Sequence, residues 1–194
     1  MGPMPTRGSG GVPRNGRHRS GAARLLFTAS IAAWPLLAGG APPAHAAASC
    51  LGQTATITGT PGGDTLNGTE GNDVIAGLGG NDTVDGRGGN DVICGDDGND
   101  TLRGGGGDDV LHGGGGDDTA EGGDGRDSVL GGPGQDRVSG GAADDNVFGE
   151  EGDDQVFGDD GNDALSGGPG PDRCDGGPGR DDDDGTCESR INIP

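Results

Sequence analysis

The chain has 194 residues, 49 of them glycine; 27% are hydrophobic and 2% aromatic, and the formal net charge is -21. So few apolar side chains cannot close an ordinary globular core, and the composition alone describes an acidic chain that stays unfolded without help. The charge balance, 12 basic against 33 acidic residues, excludes a nucleic-acid-binding surface, which needs a basic patch to track phosphates.

Residues 1–24 carry five arginines and no acid, Leu25 to Ala38 is an apolar run, and Ala44-His45-Ala46 offers small residues around a cleavage point. This pattern predicts a secretory signal peptide over residues 1–46. Fourteen apolar residues interrupted by Pro35 are too few for a bilayer that needs about 20, so no membrane span is expected. A lipoprotein signal is disfavoured because Ala47-Ala48-Ser49-Cys50 lacks the usual leucine. Cleavage after Ala46 leaves seven basic and 33 acidic residues, a net charge of -26. Residues 47–58 form an N-terminal cap: Thr54 to Thr58 reads as a strand, with Ile57 apolar and Ala55 where the units that follow carry aspartate.

From Gly59 to Asp184 the chain repeats every nine residues, fourteen times without an insertion or deletion. Gly77-Leu-Gly-Gly-Asn-Asp82-Thr-Val84-Asp, Gly86-Arg-Gly-Gly-Asn-Asp91-Val-Ile93-Cys and Gly104-Gly-Gly-Gly-Asp-Asp109-Val-Leu111-His are clear copies. The sixth position is aspartate every time: Asp64, Asp73, Asp82, Asp91, Asp100, Asp109, Asp118, Asp127, Asp136, Asp145, Asp154, Asp163, Asp172 and Asp181. Eleven of the fourteen eighth positions are Leu, Ile or Val, which predicts a three-residue strand after each aspartate with its middle side chain inward. Glycines at positions 1, 2 and 4 permit positive φ and a tight turn, and without side chains they let carbonyl oxygens converge on one point. Carbonyls joined by a carboxylate suit Ca²⁺, a hard cation that takes six to eight oxygen ligands. An EF-hand is excluded by spacing, and a phosphate-binding loop by the absence of lysine and the carboxylate after each loop.

The motif G-G-x-G-x-D-x-U-x, with U apolar, resembles the RTX, or haemolysin-type calcium-binding, nonapeptide repeat, and the resemblance covers 126 residues. It implies an all-β fold, a parallel β-roll with two repeats per turn over residues 59–184, and ions held between loops stacked one turn apart. The fourteen sixth-position aspartates are then the metal ligands. Seven loops on each edge leave six gaps, hence up to twelve Ca²⁺ ions, whose +24 nearly balances the -26 of the secreted chain. One inward aliphatic per nine residues, many of them glycine, cannot offset the backbone entropy of ordering the chain, so folding is expected to depend on the ions.

The repeats weaken at Ala143, which replaces the fourth-position glycine, and at Ala120, which underfills the interior. Cys174 and Asp183 take the last two eighth positions, so the apolar column should end near Leu165 or Cys174. Asp181 to Asp184 read as a polar cap, with a cap or tail over residues 185–194. Asp96, Asp97, Glu150, Glu151, Asp159 and Asp160 read as solvated surface. Four cysteines in a secreted chain favour disulfides. Cys174 with Cys187 staples the C-terminal cap, while Cys50 with Cys94 requires the N-terminal cap to fold across the surface, since 44 residues are not a whole number of 18-residue turns.

No catalysis is expected. His112 is the only histidine outside residues 1–46 and reads as a solvated loop residue. No serine or cysteine has a nucleophile's context, and about twelve residues between cleavage point and first repeat leave no room for an enzyme domain. Two functions remain: a secreted calcium-binding protein that folds on its ions, or a calcium-rigidified structural or adhesive spacer at the cell surface or matrix. The sequence names no protein or cell-surface partner.

Overall fold

The computed structural model describes residues 48–193, so the signal peptide expected over 1–46 lies outside the described residues. Every regular element among them is a strand, and none is a helix able to cross a membrane. The repeats wind into two eight-stranded parallel sheets, and consecutive strands alternate between them. Residues 18 apart are therefore neighbours in the same sheet, as in Val92 with Val110 and Thr101 with Thr119. This is the parallel β-roll that the resemblance to RTX repeats implies.

The eighth positions point between the sheets and form one core cluster from Ile75 through Val84, Ile93, Leu102 and Leu111 to Val156, Leu165 and Cys174. Ala120 lies fully buried in this column, in register with Leu102 and Val138. The apolar cluster runs beyond the expected end, because Cys187 and the partly buried Ile193 also pack onto it. The last turn is shorter than the others: Arg173 pairs with Ser189, 16 residues on, so residues 185–193 include one more strand, Ser189–Ile191. Asp183 ends the other sheet's column beside Leu165, and Arg190 pairs with its carboxylate at 2.6 Å.

The strands are longer than the expected triplets. A typical strand, Val110–Gly115, runs from the seventh position of one repeat to the third of the next. The first-position glycine sits at a corner inside it and is skipped by the pairing, as Gly122 is between Glu121 and Gly123. The two glycine roles fall on different positions. Positive φ occurs at positions 2 and 4, but no first-position glycine adopts it. The first position is glycine for lack of space. A Cβ on Gly149 would lie 2.5 Å from Asp154 Oδ2 and 2.6 Å from the carbonyl oxygen of Gly167 on the next turn.

At the N-terminus, Ser49–Cys50 and Gln53–Thr54 form an antiparallel hairpin, and Ile57–Thr58 becomes the first strand of the roll, with Ile57 beside Ile75. The single expected capping strand is thus split in two. Ala48, Cys50 and Ala55 pack with the outward-facing Ala76 and Cys94 as a second, smaller apolar cluster. Cys50 is bonded to Cys94, with Cα atoms 5.6 Å apart, and Cys174 to Cys187, at 5.9 Å. His112, read from the sequence as a loop residue, is half-buried on strand Val110–Gly115, between Cys94 and Leu130 of the neighbouring strands.

Candidate metal centre

Alternation of the strands puts successive loops on opposite edges of the roll, so the fourteen sixth-position aspartates form two columns. From Asp82 to Asp181 all are buried, at 1 or 2% exposure; Asp73 is buried and Asp64 half-buried. A row of buried carboxylates is costly unless each oxygen finds a partner. One oxygen does. Oδ1 of Asp109 accepts the backbone N–H of Asp91 at 2.7 Å, and Oδ1 of Asp127 accepts that of Asp109 at 2.7 Å. The same bond joins every aspartate from Asp82 to Asp181 to the one 18 residues before it.

The other oxygen does not. In the twelve aspartates from Asp82 to Asp181, Oδ2 is buried without a hydrogen-bond donor. It points at the first-position glycine of its own repeat, and in nine of the twelve the next turn's first-position carbonyl approaches the same space: beside Gly149 lie Asp154 Oδ2 and the Gly167 carbonyl, and beside Gly158 lie Asp163 Oδ2 and that of Gly176. Burial, with neighbouring aspartates adding repulsion, pushes Asp109, Asp136 and Asp145 up to about 7 and Asp118, Asp127 and Asp163 up to about 6. Each such carboxylate wants a proton or a cation. No three His, Cys, Asp or Glu side chains converge among the described residues, so backbone oxygens must supply most of any shell. Carbonyls plus one carboxylate oxygen are the donor set of a hard cation, and the residues present therefore fit Ca²⁺.

The RTX calcium-binding nonapeptide repeat model matches residues 58–93, 95–129, 121–156, 130–165 and 148–182. The chain belongs to this RTX family. No curated protein matches it. As RTX repeats, the two columns of loops are calcium-binding elements, and the stacked aspartates are in the place to serve them.

Asp64 and Asp73, the first aspartate of each edge, differ from the other twelve. The N–H and hydroxyl of Thr60 both donate to Asp64 Oδ2, at 2.6 and 2.9 Å. Thr69 does the same to Asp73 Oδ2, at 2.7 and 2.9 Å, and its N–H holds that carboxyl below the usual range. At the other end Glu188 accepts the N–H of Asp172, standing in for the aspartate an eighteen-residue turn would have placed there. Ala143, at the fourth position, takes φ +87°, and Asp145 keeps its bond to the Asp127 N–H, so the loop geometry survives the lost glycine.

A second ladder escaped the sequence reading. Asn72 Oδ1 accepts the N–H of Asn90, and Asn90 Oδ1 that of Asp108, in the direction opposite to the sixth-position ladder. The available signal was Asn or Asp at nine of the fourteen fifth positions. The acids outside the sixth position are mostly exposed, as expected, although Asp96 is half-buried and Asp159 accepts from the Ser139 hydroxyl.

Proposed function

We propose that the chain is a secreted calcium-binding protein whose roll forms when Ca²⁺ occupies its loops. The observation that carries this reading is the set of twelve buried Oδ2 atoms without donors, nine of which share the space beside their first-position glycine with a backbone carbonyl of the next turn. A metal-free roll would hold twelve unpartnered carboxylate oxygens in two columns; a cation between turns removes both the desolvation cost and the repulsion. The sixth-position aspartates are its metal ligands, and ions number up to twelve. Secretion is supported by the two disulfides, which persist in oxidising compartments, and by the signal-like pattern of residues 1–46. A binding role, not a catalytic one, follows from carboxylates committed to the ladder and the loops.

Calcium titration by far-UV circular dichroism, with equilibrium dialysis for stoichiometry, tests this. In chelator the chain should be expanded and coil-like, and millimolar calcium should bring β structure with up to about twelve ions, the number of donor-free oxygens. Magnesium, which demands a smaller octahedral shell, should not substitute. Full β structure in chelator at neutral pH would overturn the reading.

A further inference from the structure

The first turn of the roll is built differently from the rest. At the other loops the second and fourth positions generally take positive φ, even where a side chain must follow, as at Leu78 (φ +84°) and Arg87 (φ +78°). At the first loop of each edge neither position does. There the second position is threonine, and its N–H and hydroxyl fill the role on Asp64 and Asp73 that the other twelve aspartates leave open. The same turn is covered from outside by the Ser49–Thr54 hairpin, which brings the second apolar cluster and the Cys50–Cys94 bond. Carboxylate satisfaction, extra apolar burial and a covalent tie thus coincide on one end of the molecule.

We propose that Thr60 and Thr69 take the ion's place at the first loop of each edge, so that the N-terminal turn closes without calcium and seeds the ordering of the loops that follow. The inference rests on the calcium reading above for what happens beyond the first turn. In a roll each turn contacts only its neighbours, so a pre-formed terminal turn presents the first later strands with a template and spares them the cost of nucleation. Calcium then adds turn by turn toward the C-terminus.

Hydrogen exchange on the oxidised full-length chain decides it. In calcium-free buffer, amides bonded across the first turns, such as Gly59 to Ala76, Thr83 to Asp64 and Val92 to Asp73, should exchange at least tenfold more slowly than their counterparts at Thr119, Ser128 and Arg137. On adding calcium, protection should spread from residues near 97 toward the C-terminus. Uniform exchange without calcium, or protection that appears first at the C-terminal end, overturns the proposal. The double variant Thr60→Gly, Thr69→Gly restores the loop glycine and removes both hydroxyls. It should lose the calcium-free protection, whereas protection equal to that of the unmodified chain overturns the proposal. The calcium-free comparison holds whatever dialysis shows, so a chain that takes up no calcium would remove the parent reading alone.

Discussion

Each sixth-position aspartate divides its work between two oxygens, and substitution can separate them. Asp109→Asn keeps an oxygen for the Asp91 N–H but removes the charge, whereas Asp109→Ala removes both and leaves that buried N–H without an acceptor. An unsatisfied buried donor costs about 1 to 3 kcal/mol, so in saturating calcium the alanine variant should unfold that much more easily than the asparagine variant, by denaturant titration. Both should bind less calcium. Equal stabilities would show that the ladder contributes nothing. Asp181→Ala should cost less stoichiometry and cooperativity than Asp109→Ala. Both remove an acceptor from the preceding turn, but Asp109 Oδ2 also shares the space beside Gly104 with a carbonyl of the following turn, that of Gly122, whereas the space beside Gly176 holds Asp181 alone. Ala143 is the other informative residue: at φ +87° an L side chain is strained by roughly 1 kcal/mol or more, and glycine is not. Ala143→Gly should therefore stabilise the calcium-loaded roll by about 1 kcal/mol, and a loss of stability would mean that the methyl packs usefully where it is.

Among the elements, those read most fully from the sequence are the strands, because an unbroken period of nine marks which residue faces inward and the resemblance to RTX repeats supplies two repeats per turn. Ile93 with Leu111, or Val138 with Val156, are neighbours for no reason except that they are eighth positions 18 residues apart. What stayed hidden depends on contacts between turns. The first-position glycine is set by the approach of Gly167 to Gly149, and Thr60, Thr69 and Glu188 matter only because the ends lack an ion-like partner or a full-length turn. The N-terminal hairpin was hidden too, since its pairing is antiparallel and outside the repeat. Its disulfide closes 44 residues, which should stabilise the fold by about 3 to 4 kcal/mol through the unfolded chain; the 13-residue Cys174–Cys187 loop should contribute about 3. Cys50→Ser with Cys94→Ser should thus raise the calcium concentration needed for folding more than the Cys174→Ser, Cys187→Ser pair does. Identical midpoints for both variants and the parent would show that neither staple acts on the calcium-coupled transition.

At the scale of the whole molecule, the proposed calcium sites place protons and calcium in competition for the same oxygens. Burial holds Asp109, Asp136 and Asp145 at about 7 and Asp118, Asp127 and Asp163 at about 6 in the roll, against about 3.9 for an aspartate in an unfolded chain. A group whose folded value is raised binds its proton more tightly in the fold. Its contribution to stability is fully present below the unfolded value and is lost as pH rises through the folded one. Without calcium, then, the roll should be most stable near pH 4 and lose that stability progressively up to pH 6 to 7, where the carboxylates ionise and repel. Acid should do part of what calcium does. A calcium-stripped sample taken from pH 8 to pH 4.5 should gain β ellipticity, with sedimentation used to show that the gain is monomeric. Above pH 7, where the carboxylates are free of protons, calcium should bind most tightly. Below that, each ion must displace protons, so uptake at pH 6 should weaken and release protons measurable in a pH-stat. A stripped chain that stays coil at pH 4.5, or calcium binding equally tight at pH 6 and pH 8, would show that the buried aspartates are not where the ions and the protons meet.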